Sequence, residues 1–534
     1  MKTKANAFLI PLTLLCFILL SPKWLFPLAA WLGPMFLILS IKNIKPWKSY
    51  LLTVGLLTIS SSIANYKVLP FPGIFFLIMT IIISIQAAVP YWLNRVLYPK
   101  MSGWKKTLIF PIALVVYEYV SSFGGGGTWG SLSYTQVSNS YIIQTASLVG
   151  IWGITFLIGW FSSLGAWVIE EHGNWKIVGK TITVFTSLIL MLLVFGMAIT
   201  NLHSNSIQKT VRVAGITGSN IPFIQSIYKD VFGKWIEVDE QTLNQTSPEL
   251  AELNKGLIQF IENPFDPKFV KSRKLLGISQ DTLFARSHKE ALAGAKIISW
   301  SEALTFAIKS EEEKLIVKGK TFALQHRLYF LMTFAAIHPG KVESGKKFIE
   351  NKAILFSPSG EVLTTFFKNK PVPVIEPCIP GDGKIPVNET LYGRLATSIC
   401  YDGDYPTLMQ QTGKQHADIL LLPSGDWKEI SPYHAQMASV RSIENGVSLL
   451  RIASGGPSIA TDQFGRVIAS NNYYDDGEKI LVAHLPVKHI PTVYTFIGDA
   501  FAWACIGGLG LFLLIIYSGN AFRILPTRFL KSNP

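Results

Sequence analysis

Charge is what this sequence has least of. Asp, Glu, Lys and Arg together make up 15% of its 534 residues, against 49% for the apolar set. A water-soluble protein carries about a quarter of its residues charged, so a purely soluble chain is excluded and lipid becomes part of the expected surroundings. Acidic residues are the scarcer sign, 34 against 48 basic, which leaves a net charge of +14. Cysteine is scarcer still, at four residues, so a disulfide-dense secreted scaffold is excluded. Cys16 and Cys505 fall in apolar stretches, and only Cys378 and Cys400 remain as a pair that a single disulfide could join. The middle of the chain has no repeat, no low-complexity tract and no Cys/His cluster of metal-site spacing, so neither metal nor dissociable cofactor is expected.

The apolar material is unevenly spread. Charge-poor stretches crowd into residues 6 to 201, ordinary globular composition follows, and a last apolar stretch covers about 496 to 517. A helix crossing hydrocarbon needs about 20 mostly apolar residues. Seven candidates precede the globular part, near 7 to 21, 24 to 41, 50 to 66, 71 to 94, 107 to 122, 145 to 169 and 179 to 201. Residues 68 to 94 and 119 to 169 hold no charged side chain at all. Lys2 and Lys4 before an apolar run resemble a signal peptide, but no small-x-small cleavage site precedes the next span, so the run is read as a retained first span. The expected organisation is a membrane domain over 1–204, a catalytic domain over 205–490, and an eighth span with a tail over 491–534.

Loop lysines and arginines set orientation. With the N-terminus inside, the inner segments hold Lys2 and Lys4; Lys42, Lys45 and Lys48; Arg95, Lys100, Lys105 and Lys106; Lys176 and Lys180; and Arg523, Arg528 and Lys531. The outer loops before the globular part hold only Lys23 and Lys67. Seven spans then put the globular domain outside the cytoplasm. The positive charge is this inward bias together with attraction to anionic lipid, and needs no nucleic acid to explain it. Within the fifth span, "VVYEYVSSFGGGGTWGSLSYTQ" carries Glu118. An ionisable group at membrane depth is a functional candidate, while one near the interface is merely solvated. Trp129 and Tyr134 in the uncharged loop that follows suit the interfacial zone.

In the globular part, short β-branched runs alternate with helix-like segments over 281 to 293, 318 to 338 and 431 to 446, which argues an α/β or layered α+β domain. SPSG and DQFG lie between runs of strand length and read as hairpin turns. Polar residues end three of the runs: Glu302 after "IISW", Lys368 after "LTTFF" and Cys400 after "LATSI". A carboxylate, an amine and a thiol delivered to strand ends can meet at one edge of a sheet. Taken singly, each also reads as a helix-start acid, a solvated loop charge and a buried small residue.

Three stretches resemble the nitrilase superfamily of carbon–nitrogen hydrolases: "SWSEA" with Glu302, "FFKNKPVPVIE" with Lys368 and Glu376, and "ATSICYD" with Cys400; "HAQMASVRSIENGVSLLR" is similar to the helix and strand that follow in that family. The combination with spans on both sides resembles the apolipoprotein N-acyltransferase branch, as does "EYVSSFGGGGTWGSLSY". The resemblance implies an αββα sandwich beside a multi-span helical domain, in a bacterial inner membrane with the catalytic domain on the periplasmic side. It implies Glu302 as base, Lys368 as cation and Cys400 as nucleophile, with Glu376, Tyr401, Asp402 and Trp300 in support. Glu118, Trp129, Tyr134 and Trp427 are expected to face substrate or membrane. The implied partners are a phospholipid acyl donor, a diacylated lipoprotein acceptor and membrane lipid, with the chain a monomer. Two departures bear on the acceptor: Asp402 stands where the branch carries Glu, and "PSGDW" resembles ordinary nitrilases, which keeps open a membrane-anchored amidase acting on a small amide or nitrile.

Overall fold

The computed structural model describes residues 2–204, 209–239, 247–342 and 346–523. Arg528 and Lys531, counted above for orientation, lie outside them. The eight candidate stretches all carry helix: Lys2–Leu19, Pro27–Ile41, Pro46–Ala64, Gly73–Ala87, Ile109–Ser121, Ile151–Glu170, Trp175–Ser204 and Ala500–Arg523. Among the described residues, four continuous segments are long and apolar enough to cross a membrane: Gly73–Lys100, Ile151–Glu170, Trp175–Leu202 and Ala500–Tyr517. The other four stretches form shorter or less apolar helices. The sixth stretch is interrupted at Gly150, whose φ of +69° ends a short turn before Ile151–Glu170 begins.

Ile151–Glu170 is the central helix, largely buried against Pro27–Ile41 and Ile109–Ser121. Gly159 permits the close approach, because a Cβ there would meet the Pro111 Cα at 2.9 Å. The outer helices do the opposite. Ile74, Val194 and Leu514 are 71%, 64% and 67% exposed, an apolar belt that water would penalise and lipid does not.

Among the described residues the globular part has thirteen strands: β1 Thr210–Ile216, β2 Ile297–Trp300, β3 Phe306–Ile308, β4 Tyr329–Ile337, β5 Ile349–Phe356, β6 Val362–Phe367, β7 Val387–Thr390, β8 Gly393–Thr397, β9 Ile419–Gly425, β10 Ser448–Ser454, β11 Pro457–Thr461, β12 Val467–Asn472 and β13 Ile480–Pro486. They make two sheets, ordered β13-β1-β2-β4-β5-β6 with β3 beside β4, and β12-β11-β10-β9-β8-β7. The faces meet in a core that includes Val213, Leu331 and Leu355 from the first sheet and Leu395, Leu421 and Leu450 from the second. Helices Val270–Leu292 and Glu312–His326 cover the first sheet, while Pro406–Lys414 and Tyr433–Asn445 cover the second. The layers are helix, sheet, sheet, helix. SPSG and DQFG are the turns of the β5–β6 and β11–β12 pairs.

Two expectations are corrected. The helix read over 318 to 338 ends at His326, and Tyr329–Ile337 is β4, buried along its whole length. A strand covered on both faces is apolar at every position, and its periodicity cannot be told from that of a buried helix. Cys378 and Cys400 are both buried free thiols, with no bridge between them.

Candidate active site

The strands aim the polar residues at one edge. β1, β2 and β4 run parallel in one sheet, β8, β9 and β10 in the other, and side chains that follow their C-terminal ends converge there. Glu302 follows β2, and its backbone N–H donates to the Ser424 carbonyl on β9, which ties the two sheets together at this point. Lys368 follows β6 and is wholly buried. Its Nζ lies 2.7 Å from Glu302 Oε1 and 2.7 Å from Glu376 Oε1. The Asn351 amide, on β5, donates to the same Glu302 oxygen at 2.8 Å. Asn351 is a member of the site that the sequence reading missed.

Burial pulls the Lys368 ammonium down, but Glu302 and then Glu376 outweigh it and hold the group well above the ordinary lysine value. Burial raises Glu376, with Lys368 opposing and Glu302 reinforcing. An ammonium has three N–H donors. Two are spent on carboxylates, leaving one for anything that develops negative charge beside them.

Cys400 follows β8 at the first position of a tight turn, Cys400–Asp404, with φ +46°. A side chain held in this left-handed region costs about 1–3 kcal/mol, and such strain is kept where the surroundings enforce it. Its thiol donates to the Gly425 carbonyl at 3.5 Å. A Cβ on Gly425 would lie 3.2 Å from Glu302 Oε2, so this bare glycine separates thiol and carboxylate with no side chain between them. Burial first, and the Glu302 carboxylate second, push the thiol well above its usual range, while Lys368 pulls it back. At rest the sulfur is protonated, and reaction requires the proton to leave.

The turn is stapled from inside. The Asp402 carboxylate, fully buried, accepts the N–H of Lys370 at 2.7 Å and of Ile399 at 3.1 Å, and the Ser398 hydroxyl at 3.3 Å. Asp402 therefore joins the Lys368 loop to the Cys400 turn. Burial raises its carboxyl to about 7 despite Lys368 and these N–H groups. On the other side the turn meets the glycine loop of the membrane-type helices. Tyr401 Oη donates to the Gly125 carbonyl at 2.5 Å and Tyr405 Oη to that of Gly124 at 3.2 Å.

A second buried cluster adjoins the thiol, and the sequence reading missed it too. Arg451 Nη2 pairs with both Asp426 oxygens at 2.7 and 2.9 Å. His434 places Nδ1 2.7 Å from Asp426 Oδ1 and Nε2 3.0 Å from Asp404 Oδ1. Burial raises Asp426, but Arg451 and His434 bring it down to about 2. Burial lowers His434, but Asp404 and Asp426 raise it to about 9. Donor atoms of Cys400, Asp426 and His434 lie within 4.8 Å of one another, a spacing suited to a metal ion. Both ring nitrogens and both Asp426 oxygens are already engaged, so this set fits a proton-bonded cluster better than a metal centre. The available signal was Arg451 itself, a charge inside the apolar strand "SLLRIAS".

The remaining expected residues are scattered. Trp300 turns to the helix-covered face of the first sheet, where its Nε1 donates to Ser287 Oγ at 2.9 Å, and so stands behind the site. Glu118 is buried and accepts from Ser131 Oγ and Thr155 Oγ1, each at 2.6 Å, and from the Leu132 N–H at 3.0 Å. It pins the base of the glycine loop and is not solvated. Trp129 packs edge-on against Tyr433, and Tyr134 Oη accepts from Arg441 at 2.9 Å, so both face the catalytic domain where the interfacial reading expected lipid. Trp427 Nε1 donates to the Val68 carbonyl between the third and fourth helices, and Trp427 helps line an open cleft together with Glu302, Leu304, Asp426 and Tyr474.

Comparison with known proteins agrees with this arrangement. Residues 265–493 match the carbon–nitrogen hydrolase family, and residues 12–164 match the apolipoprotein N-acyltransferase N-terminal domain. The apolipoprotein N-acyltransferase of Geobacter metallireducens is 23% identical, over 82% of this chain and 78% of its own. That of Borreliella burgdorferi is 25% identical, over 84% and 83%. Apolipoprotein N-acyltransferase 1 of Treponema denticola is 23% identical, over 94% of each. With one match on the membrane-type helices and the other on the sandwich that carries Cys400, the chain belongs to the apolipoprotein N-acyltransferase family, the membrane branch of the carbon–nitrogen hydrolases.

Proposed function

We propose that this enzyme moves an acyl chain from a membrane phospholipid to the N-terminal amine of a diacylglyceryl-cysteine lipoprotein, through a thioester on Cys400. What supports the reading is the placement of a buried thiol beside the Glu302–Lys368–Glu376 cluster, with Glu302 opening onto a cleft whose Trp427 wall bonds to Val68 between the apolar helices. In the first half, Glu302 takes the thiol proton as sulfur bonds to the ester carbonyl carbon. The third N–H of Lys368 meets the oxyanion. The ester C–O bond then breaks, and Glu302 returns the proton to the departing lysophospholipid oxygen. In the second half, the lipoprotein amine bonds to the thioester carbon, the C–S bond breaks, and the amine's surplus proton passes by way of Glu302 to the thiolate. The amide is more stable than the thioester, which sets the direction.

Both substrates carry acyl chains, and each methylene costs about 0.8 kcal/mol to expose to water. A site at the lipid boundary avoids that cost. On this reading residues 1–204 form the membrane domain, 205–490 a periplasmic catalytic domain and 491–534 the last span and tail. The charge distribution supports that orientation: Lys42 and Lys106 gather with Glu170 and Glu171, and Lys100 stacks over Tyr517, while Lys23 bonds the Tyr66 carbonyl in the other loop set.

The test is product analysis in vesicles. Wild type is expected to release lysophospholipid and N-acylate a diacylated lipopeptide, and Cys400→Ser to do neither. Release of free fatty acid without any acylated peptide would move the assignment to a hydrolase.

A further inference from the structure

Two segments cradle the thiol: the turn Cys400–Asp404, which holds it at positive φ, and the end of β9, where Gly425 accepts its hydrogen bond. Among the described residues, no hydrogen bond runs directly between Asp404 and Asp426. His434 touches both, from a third element, the helix Tyr433–Asn445. Its ring is 5% exposed, so these bonds are made without competition from water. Each ring nitrogen faces a carboxylate, and Arg451 Nη2 also lies 3.0 Å from Nδ1. Arg451 fixes Asp426 from β10 and also reaches the Pro457 carbonyl at 2.9 Å. Asp404 is held in turn by the membrane-type domain: its carbonyl accepts the Thr128 N–H at 3.0 Å and the Thr128 hydroxyl at 2.8 Å. Gly127 presses on the same carbonyl, with room for no Cβ, and Trp129 meets the His434 ring edge-on, the ring centres 6.2 Å apart.

We propose that His434 is a positioning residue that clamps the Cys400 turn to the end of β9, and that the glycine loop reaches the nucleophile through this clamp, by way of Thr128 and Asp404. The proposal rests on Cys400 being the acyl carrier. His434 itself touches no reacting atom. Its part is to keep the turn in the strained conformation that sets the sulfur against the Gly425 carbonyl, and to make that conformation depend on the glycine loop being seated.

The experiment uses full-length protein in phospholipid vesicles and reads two rates in wild type, His434→Ala, Thr128→Val and the double variant. One is acylation of Cys400 by phospholipid. The other is alkylation of Cys400 by iodoacetamide, which needs no lipid substrate and so tests the clamp even where the acyl-transfer reading fails. Cys378, equally buried and free, is the internal control for unfolding. The expected result for His434→Ala is acylation slowed at least 30-fold at unchanged KM for phospholipid, Cys400 alkylated at least 10-fold faster, and Cys378 unchanged. Thr128→Val should slow acylation about fivefold alone and add nothing in the His434→Ala background. Acylation within twofold of wild type, a change in KM alone, or effects that multiply in the double variant would overturn the clamp. Where His434→Ala fails to fold, Asp404→Asn and Asp404→Ala decide. The amide can still accept from Nε2, so Asn should retain acylation within fivefold while Ala loses it, and equal behaviour of the two overturns the proposal.

Discussion

The Lys368 ammonium is shared by two carboxylates that reach it from different loops, Glu302 and Glu376, each at 2.7 Å. Removing one member of a buried ionic cluster leaves the others uncompensated, which costs about 3–5 kcal/mol. Lys368→Met should therefore lower thermal stability by that order and abolish acyl transfer. Glu376→Gln leaves the Glu302–Lys368 pair intact and should be milder on both counts. Melting curves in detergent, read beside product formation, distinguish the two variants, and a stable Lys368→Met protein would remove the cluster from the account.

Burial and Glu302 hold the Cys400 thiol above its ordinary value, and Lys368 works in the opposite direction. The thiolate is the reactive form, so alkylation of Cys400 should be slow at pH 7 and keep rising beyond pH 9, past the usual thiol midpoint of about 8.5. In Lys368→Met, provided the fold holds, the profile should move further to alkaline pH. Mass spectrometry of the Cys400 peptide across a pH series checks the sign, and an acid-shifted wild-type profile would contradict it.

Asn351 donates to the Glu302 oxygen that also faces Lys368. A hydrogen bond to a charged group contributes about 1.5–3 kcal/mol. Asn351→Leu should lower the rate about tenfold or more by freeing the Glu302 carboxyl to rotate. Its signature is a fall in the maximal rate with the KM for phospholipid held, measured in the vesicle assay.

Gly127 has φ +53°, and a Cβ there would sit 2.8 Å from the Asp404 carbonyl. Gly127→Ala should cost about 1–3 kcal/mol in backbone strain and displace the glycine loop from the nucleophile turn. Gly126, where a Cβ meets nothing within 4 Å, is the matched control. Gly126→Ala should behave as wild type in the acyl-transfer assay, and equal loss in both would show that the loop's flexibility matters and its contact does not.

The three polar residues that end apolar strands were legible because nothing in a strand pattern asks for them. Glu302, Lys368 and Cys400 stand one to three residues past the ends of β2, β6 and β8, and a parallel sheet collects such positions at one edge. Asn351 and His434 were not legible in the same way, because they sit inside elements and only their pairing across the fold reveals them, whereas Arg451 left a signal as a charge inside an apolar strand. Trp300, expected in support from the resemblance, ends β2 with its side chain on the helix-covered face, whereas Glu302 lies past the strand end, where the alternation of faces no longer holds. Trp129 and Tyr134 follow the composition of a lipid interface, but the globular domain covers that loop, with Tyr433 edge-on to the Trp129 ring and Arg441 donating to the Tyr134 hydroxyl. β4 shows the limit of periodicity, since double-sided burial erases it.

The most direct test of Cys400 as acyl carrier is the intact mass of the purified protein after incubation with phospholipid vesicles, for wild type and Cys400→Ser, followed by a diacylated lipopeptide. The account predicts that wild type alone gains one acyl mass and loses it as the peptide gains the same mass on its amine. An adduct that persists in Cys400→Ser, or a wild type that N-acylates the peptide without ever carrying the acyl group, would contradict it.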